Sequence, residues 1–235
     1  MNTTRRKIAL SLLMLPAGCA IRPLDAVRTR LTAAPAPGTP VRAPAPGQSW
    51  SYRQLDFFNS QQVDEVREAV ESVGDEIVIA RRGTRQLQLS SEIQGPWGLL
   101  RRDPVWDAAQ TYEQALPLWP PGLELGQTVA LHTHYRRDHD SFRYAIGLYA
   151  VARRWETVSV PAGEFDCLRV ERTLRQQHQD FSRLETLRHD TLWLAPEVGR
   201  WVLRETWGEY RHAGRSSQGS QGLEDHFRWE LTAWT

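Results

Sequence analysis

From residue 47 onward, apolar and polar residues alternate along the chain with a period of two. Residues 142–152 place Tyr144, Ile146 and Leu148 on one face and polar side chains on the other, and residues 223–231 alternate even more regularly. A period of two is typical of antiparallel strands that bury one face. The pattern therefore predicts a mainly β domain.

Eight further strands are expected between turns that are rich in glycine, proline and polar residues. They are residues 50–57, 63–73, 76–81, 85–93, 128–136, 167–174, 184–194 and 201–207. Only residues 105–116 suit a short helix, which Pro117, Pro120 and Pro121 would end. The body of the chain is thus expected to be one antiparallel β domain with room for one short helix.

The N-terminal residues have the order of a secretory signal peptide. Basic residues 5–7 precede an apolar run at residues 8–15, and an Ala-Gly pair leads to Cys19. This order is typical of an export signal, and the cysteine resembles that of the bacterial lipobox, although Pro16 stands where the motif usually has leucine. The run is too short to span a bilayer, which takes about 20 residues. The basic residues also resemble a twin-arginine signal, so the export route stays open.

The lipobox resemblance implies that residues 1–18 are removed and that Cys19 carries the fatty acyl chains, palmitate among them. Because Ala20 is not the aspartate that retains lipoproteins in the inner membrane, the expected location is the periplasmic face of the outer membrane. Residues 19–46 are rich in proline and alanine and lack aromatic residues. They predict an extended, solvated tether that reaches up to about 80 Å. The β domain then covers residues 47–235.

The balance of charge gives no sign of a nucleic-acid partner. The whole chain has 29 basic and 28 acidic residues, and removing residues 5–7 leaves 26 basic residues against 28 acidic ones. Without a basic stripe, nucleic acid and anionic lipid surfaces are poor partners. Contact with the membrane is therefore expected through the anchor at Cys19.

The chain has two cysteines, Cys19 and Cys167. A lipidated Cys19 has no thiol left for a disulfide, so Cys167 is expected to be a free thiol. No histidine-containing pattern around Cys167 indicates a nucleophile. A buried structural cysteine is the favoured interpretation.

Two sequence motifs carry a family resemblance. V-P-A-G-x-F-D occupies residues 160–166, x-W-x-A-P-x-V-G occupies residues 192–199, and G-x-x-W-x-Y at residues 47–52 fits the same pattern. Together they resemble the TapB-like group of bacterial envelope proteins, a domain of unknown function, over about residues 47–207. The resemblance implies a single curved antiparallel sheet or half-barrel, similar to the carriers that move lipoproteins across the periplasm. It supplies no catalytic residue, and both motifs also have a folding interpretation as tight turns.

His132 and His134 are the best candidates for a metal site, with His139 nearby. Residues two apart on a strand share a face, so both imidazoles are able to reach one zinc ion. Against this, Arg136 lies on the same face, and no cysteine or suitably spaced carboxylate completes the ligand shell. A solvated polar strand face is the favoured interpretation, and no cofactor is expected.

Ten tryptophans are an unusually large number for a chain of this length. Those in predicted strands are expected to fill the core. Trp97, Trp106 and Trp119 lie in predicted loops or at the helix. There they either fill the core as well or contact an apolar ligand or a partner protein.

The sequence thus predicts an outer-membrane-anchored periplasmic lipoprotein of unspecified role. Non-enzymatic binding of an apolar envelope ligand under a curved sheet is the favoured hypothesis. A protein-interaction or scaffold module that uses an exposed strand edge is the alternative. A metal-dependent hydrolase that uses His132 and His134 is the third and least supported, because the sequence contains no phosphate loop or nucleophile elbow.

Overall fold

A computed structural model describes residues 26–36, 39–85, 87–106, 108–138, 140–180, 182–212 and 221–235. In these residues the chain forms thirteen strands and no helix. The strands are β1 (Thr29–Leu31), β2 (Ser49–Asp56), β3 (Gln61–Val73), β4 (Ile77–Gly83), β5 (Leu89–Gln94), β6 (Leu99–Asp103), β7 (Gln110–Pro117), β8 (Thr128–Arg137), β9 (Tyr144–Val160), β10 (Gly163–Gln176), β11 (Arg183–Ala195), β12 (Arg200–His212) and β13 (Gln221–Trp234).

Strands β2 to β13 form a closed barrel of twelve antiparallel strands. Each strand pairs with the next one along the chain, and β13 pairs with β2 to complete the ring. In the closing pair, Trp234 lies opposite Trp50 and Phe227 lies opposite Asp56. The expected mainly β class is confirmed, but the single curved sheet or half-barrel is wrong because the sheet has closed on itself.

Closure depends on how twist and curvature accumulate from strand to strand. The register shifts in many of the strand pairs, for example between Trp193 and Leu194 in β11 and between Trp207 and Glu209 in β12. Bulges of this kind bend a strand and increase its local twist. Alternation of apolar and polar residues indicates which face of a strand is buried, but it does not indicate where a bulge adds curvature. A half-barrel and a closed barrel therefore have the same sequence pattern.

The short helix expected within residues 105–116 is wrong for the described part of that segment. Gln110–Pro117 is strand β7, and Tyr112 lies opposite Tyr135 of β8. Tyr112 and Leu116 are both buried. They are four residues apart, a spacing that suits one helical turn and also suits alternate positions of a strand. Among the described residues, no helix is long and apolar enough to cross a membrane.

The ten strands predicted elsewhere are present, with ends that differ by several residues. The largest difference is in β9, which continues to Val160 and bulges opposite the step from Arg169 to Val170 in β10. The sequence did not indicate β1 or β6. Both are short, so neither contains enough alternating positions to reveal a period of two.

Because neighbouring strands run antiparallel, their connections alternate between the two ends of the barrel. We call the end with the turns at residues 161–162 and 196–199 the near end, and the end with the turns at residues 57–60 and 140–143 the far end. Strand β1 pairs with β9 around Val158, beside the near end. The N-terminal segment therefore joins the barrel at the near end.

The segment before β2 is held against the barrel at the near end. β1 adds three residue pairs to β9. Further along, the Arg42 N–H donates to the Pro196 carbonyl at 2.8 Å, and the Arg42 guanidinium lies 5.3 Å from the Trp234 ring centroid. A side chain at Gly199, where φ is +75°, would collide with the Arg42 carbonyl oxygen, so glycine is needed there. The described part of residues 26–46 is thus more closely held than a fully solvated tether.

Charged side chains are buried inside the barrel. Arg200 donates to Glu68 at 2.9 Å and to both carboxylate oxygens of Glu92 at 3.1 and 2.9 Å. Arg81 donates to the other Glu68 oxygen at 3.0 Å, and all four residues are at most 7% exposed. Burial alone would lower the pKa of Arg200, but the carboxylates of Glu68 and Glu92 raise it well above its usual range. We call these four residues the Arg200 network.

Large aromatic side chains fill the space around the Arg200 network. Trp50, Tyr52 and Trp201 are each at most 2% exposed. The Tyr52 ring stacks on Trp201 with centroids 4.1 Å apart, and its hydroxyl donates to the Trp201 carbonyl at 3.0 Å. The interior in this region is therefore a packed core with a paired ionic centre.

Candidate functional site

Large exposed apolar side chains concentrate toward the far end of the barrel. Six of ten such side chains in the described residues lie there, namely Phe58, Leu87, Phe142, Leu184, Trp207 and Leu223, each between 37% and 81% exposed, and the other four are Leu31, Val73, Leu125 and Tyr149. Single exposed apolar residues are ordinary, but a contiguous patch often marks a contact surface. Phe58, Trp207 and Leu223 form such a patch because they line one groove.

This groove lies on the outer wall where β12, β13 and the turn after β2 meet. Its volume is about 400 Å³, within the range of about 300–1,000 Å³ that is usual for ligand sites. We call it the far groove, and its lining residues are Phe57, Phe58, Glu205, Trp207, Gly208, Leu223, Glu224, Asp225, His226 and Arg228.

Strand register builds a row of rings along the far groove. His189 of β11 lies opposite Trp207 of β12, which in turn lies opposite His226 of β13. The rings of His189 and Trp207 stack with centroids 4.0 Å apart, and those of His226 and Phe57 stack at 4.1 Å. Directly opposite residues in antiparallel strands share a face of the sheet. One register therefore brings these rings together on the outer wall.

A β-bulge shapes the polar side of the far groove. The pairing of β12 with β13 shifts between Trp207 and Glu209, so that Glu224 and Asp225 together oppose Gly208. A Cβ at Gly208 would lie 2.8 Å from Glu224 Oε2. Glycine thus leaves the room that the Glu224 carboxylate occupies. Bulges re-aim side chains in this way and are over-represented beside active sites.

Two carboxylates of the far groove, Glu205 and Asp225, are more exposed than the arginines that pair with them, whereas the Glu224 side chain is as buried as those arginines. Arg228 donates to Glu205 at 2.6 Å, and Arg188 pairs with Glu224 at 2.7 Å and with Asp225 at 3.1 Å. The side chains of Glu205 and Asp225 are 25% and 23% exposed, but those of Arg228 and Arg188 are 7% and 5% exposed. A molecule that enters the groove therefore meets acidic groups before basic ones.

His226 stands in the middle of the ring row as a neutral side chain at pH 7. Burial lowers the pKa of His226 below its usual value, and Arg228 lowers it further, while the carboxylates of Glu205, Asp56 and Asp225 oppose this only in part. A neutral imidazole stacks on Phe57 without adding a positive charge. The far groove therefore combines flat rings with exposed carboxylates.

Further inside, the barrel holds a second buried charge network. Arg204 donates to both carboxylate oxygens of Asp190 at 2.8 Å, and Arg172 pairs with the same carboxylate. Asp103 lies 3.9 Å from Arg204, and burial, together with the nearby Glu92 carboxylate, raises the pKa of Asp103 by more than the two guanidinium groups lower it. All four residues are at most 1% exposed. We call them the Asp190 network, and their burial makes them part of the interior and not of an open site.

The three tryptophans predicted in loops or at the helix are packed into the barrel. Trp97 stacks on Trp50 with centroids 6.2 Å apart and meets Trp119 edge-on at 6.0 Å. Trp119 is 7% exposed and Trp106 is 4% exposed, and the Arg188 guanidinium lies 4.5 Å from the Trp106 ring centroid. Contact of these three residues with an apolar ligand or a partner stays a prediction from the sequence.

His132 and His134 line a second groove, of about 470 Å³, on the outer wall around β8. His134 Nδ1 is 3.8 Å from Glu113 Oε2. The His132 ring lies over Gly147, where a Cβ would be 2.9 Å from His132 Nδ1. In the part of the chain that the structure describes, no group of three His, Cys, Asp or Glu side chains suits a metal ion. His139 lies outside that part, and both the favoured solvated polar face and the weaker alternative of a metal at His132 and His134 stay predictions.

Cys167 is a buried free thiol, as the sequence predicted. Burial raises its pKa well above the usual value, and its Sγ lies 3.4 Å from the Phe165 carbonyl oxygen. A thiol that stays protonated is a poor nucleophile. The predicted lipid attachment site, Cys19, lies outside the described residues.

The sequence did not indicate the far groove, although it contains one signal. Glu205, Trp207 and Glu209 occupy alternate positions of β12. A tryptophan between two acidic residues on one face of a strand is out of place in a core and in a solvated face alike. The positions of Phe57 and His226 beside it follow from strand pairing, which the sequence does not reveal.

The fold resembles those of three solved bacterial proteins at low sequence identity. A protein from Bacteroides fragilis, described as exported and as having a YmcC-like fold, is 12% identical with a TM-score of 0.50, and the match covers 82% of this chain and 97% of that one. A protein from Parabacteroides distasonis, described as a lipoprotein, is 11% identical with a TM-score of 0.49, covering 83% and 97%. The hypothetical lipoprotein YmcC from Escherichia coli is 10% identical with a TM-score of 0.44, covering 80% and 85%.

At such identities, the similarity to the Bacteroides fragilis protein shows a shared fold and nothing more. No family model matches the chain, and no curated protein matches it.

Proposed function

We propose that this chain is a lipid-anchored protein of the bacterial cell envelope that acts as a non-enzymatic protein-interaction module. In this proposal, the lipid on Cys19 holds the near end of the barrel beside the outer membrane, and the far groove binds an apolar segment of a partner protein. The observation that carries the proposal is the row of half-buried rings around the exposed Trp207, which lies toward the end opposite the N-terminal segment.

The location of the anchor supports this arrangement. Nine residues separate Cys19 from Thr29, the first residue of β1, so the two residues are at most about 35 Å apart. Since β1 is paired at the near end, a lipid at Cys19 would keep that end close to the membrane and leave the far groove facing the periplasm. The description of the Bacteroides fragilis protein as exported agrees with an exported chain.

The interior favours a protein-interaction module over a carrier that encloses an apolar ligand. The Arg200 network and the Asp190 network place buried arginines and carboxylates inside the barrel. A buried charge is costly unless it stays paired, so an acyl chain that displaced these pairs would meet a large penalty. Binding is therefore more favourable at the far groove, where apolar surface is already exposed. Membership of the TapB-like group stays a prediction from the motifs.

Site-specific photo-cross-linking tests the proposed role of the far groove. We expect a photoreactive phenylalanine at Phe58 or Leu223 to give a discrete adduct with one protein in living cells of the bacterium that makes this chain. The same group at Val73, which is 46% exposed near the opposite end, should give none. Replacing Trp207 by alanine should lower the Leu223 adduct at least about fivefold, because it removes an aromatic contact.

Two outcomes would contradict this role. Adducts of equal yield at Val73 and Leu223 would indicate random collisions, and adducts that Trp207→Ala leaves unchanged would place the partner elsewhere. If the cross-link forms to lipid and not to protein, the apolar-ligand hypothesis replaces the protein-interaction module at this groove. As a control, Leu87→Ala removes another exposed far-end side chain that does not line the groove.

A second prediction concerns the anchor. We expect Cys19→Ser to abolish lipid attachment and therefore to lose the acyl mass, because a serine hydroxyl is not the acylated group; the cleavage before residue 19 should be lost with it, which leaves the apolar run at residues 8–15 on the protein. Ala20→Ser leaves the cysteine in place and is the matched control. Cell fractionation followed by intact-protein mass spectrometry measures both effects. A Cys19→Ser protein that still carries the acyl mass would refute the lipid anchor at this residue.

A further inference from the structure

We infer that the far groove recognises a positively charged side chain, an arginine or a lysine, on the apolar segment of its partner protein. This inference rests on the proposed function of the far groove and adds the chemistry of the partner to it. Three features of the groove lead to it, namely the balance of charge, the exposed indole and the way the protein binds its own arginines.

The balance of charge around the far groove is negative. Four carboxylates act at the groove or on its central ring, those of Asp56, Glu205, Glu224 and Asp225. Among the described residues, three arginines contact this set, Arg188 and Arg228 from below and Arg183 at its edge, so four carboxylates stand against three guanidinium groups. Because Glu205 and Asp225 are also more exposed than Arg188 and Arg228, a cation is the complementary group.

The exposed face of Trp207 suits the same cation. Trp207 is 37% exposed as a residue, and its indole is held in place by the stack on His189. Indole binds cations over its face better than any other side-chain ring does. Trp207 shares the far groove with Glu205 and Asp225, so an entering cation meets a ring and a carboxylate at once.

The protein already holds its own arginines in this way beside the groove. The Arg228 guanidinium lies 4.7 Å from the Phe57 ring centroid and donates to Glu205 at 2.6 Å. The Arg183 guanidinium lies 3.9 Å from the Tyr210 ring centroid and pairs with Glu224. In both cases the guanidinium lies over an aromatic ring and pairs with a carboxylate. Trp207, with the carboxylates beside it, presents the same combination to an arginine or a lysine of a partner protein.

A pair of peptides that differ by one charge tests the inference. The probes are acetyl-Leu-Arg-Phe-Leu-amide and the same peptide with citrulline, a neutral isostere, in place of arginine. The lipidated full-length mature protein in lipid nanodiscs carries 5-fluorotryptophan, and the ¹⁹F signal of Trp207 is identified by its loss in Trp207→Phe. We expect the arginine peptide to shift this signal with roughly tenfold higher affinity than the citrulline peptide.

Charge variants of the groove should remove that preference. Asp225→Asn should bring the ratio of the two affinities to within about twofold, since it deletes an exposed carboxylate. Because Asp225 also pairs with Arg188, Glu205→Gln serves as a second variant if the first does not fold. Glu113→Gln, on the outer wall of β7, is the matched control and should leave the tenfold ratio unchanged.

The outcomes separate this inference from the function on which it rests. Equal affinities for both peptides, or no shift of the Trp207 signal by the arginine peptide, would overturn the recognition of a cation. Cross-links from Phe58 and Leu223 would still support protein docking in that case. Only the absence of those cross-links as well would remove the proposed function.

Discussion

Replacing Arg200 by methionine is expected to lower the free energy of unfolding by about 3–5 kcal/mol. Arg200 is fully buried and is the partner of both Glu68 and Glu92. Methionine fills a similar volume but leaves two carboxylates buried with Arg81 as the remaining cation of the Arg200 network. Urea unfolding followed by tryptophan fluorescence measures the change, because many of the ten tryptophans are buried.

An exposed ion pair provides the matched control for this experiment. Arg101 lies 3.0 Å from Glu76, and the two side chains are 53% and 43% exposed. Arg101→Met should cost between about 0 and 1 kcal/mol, because water screens both charges. Equal losses from Arg101→Met and Arg200→Met would refute the view that the interior charges stabilise the barrel only as pairs.

The residues of the Arg200 network are expected to be energetically coupled, because each buried charge needs its partner. Once Arg200 is methionine, the further change of Glu92 to glutamine should restore part of the lost stability, since it removes one of the stranded charges. The Glu92 carboxylate accepts hydrogen bonds from Gln94 and from Arg200. The sign of this coupling distinguishes a paired ionic centre from independent packing contacts.

The sequence predicts the strands because each buries one face, and this pattern is local. Ten of the strands follow from alternation and from turn residues such as Pro161 and Gly163. Closure does not follow, because the pairing of β13 with β2 joins residues about 180 positions apart. The buried arginines Arg172, Arg200 and Arg204 even oppose the simple pattern, since they occupy positions that alternation assigns to apolar side chains. Only their partners on other strands explain their burial.

The candidate site is harder to predict than the fold for the same reason. The far groove combines residues from the turn after β2 with residues of β12 and β13, so it exists only once the barrel has closed. By contrast, Trp97 and Trp119 occur beside prolines and look like surface residues in the sequence. In the fold they pack together, and the ring of Trp119 fills the space that a side chain at Gly98 would take. Sequence position near a loop therefore does not indicate exposure.

Replacing Asp190 by asparagine is expected to lower the free energy of unfolding at pH 7 by about 3–5 kcal/mol. Asp190 is buried and is the common partner of Arg172 and Arg204. Asparagine keeps the shape but removes the charge that compensates two buried guanidinium groups. Asp166→Asn is the control, because Asp166 is exposed and accepts from Thr157, and it should change stability by less than about 0.5 kcal/mol.

The same variant should change how stability depends on pH. In the native protein, burial raises the pKa of Asp103 above its unfolded value of about 3.9. The folded state therefore holds this proton more tightly, and Asp103 makes folding less favourable as pH rises from about 4 through its folded pKa. In Asp190→Asn, Asp103 is the remaining carboxylate within 4 Å of Arg204, and Glu92 acts on Arg204 from farther away. The pKa of Asp103 should then fall below 3.9, so that its contribution stabilises the fold above that pH.

Urea unfolding at several pH values between about 4 and 7 tests this reversal. The difference in the free energy of unfolding between the native protein and Asp190→Asn should become smaller as pH rises. Ionisation of Asp103 destabilises the native protein but stabilises Asp190→Asn. With Asp103→Asn introduced into both proteins, the difference should no longer become smaller as pH rises over this range. A pH dependence that survives without the Asp103 carboxylate would show that another group is responsible. A difference that grows with pH would show that Arg172 and Arg204 do not lower the pKa of Asp103 when Asp190 is replaced.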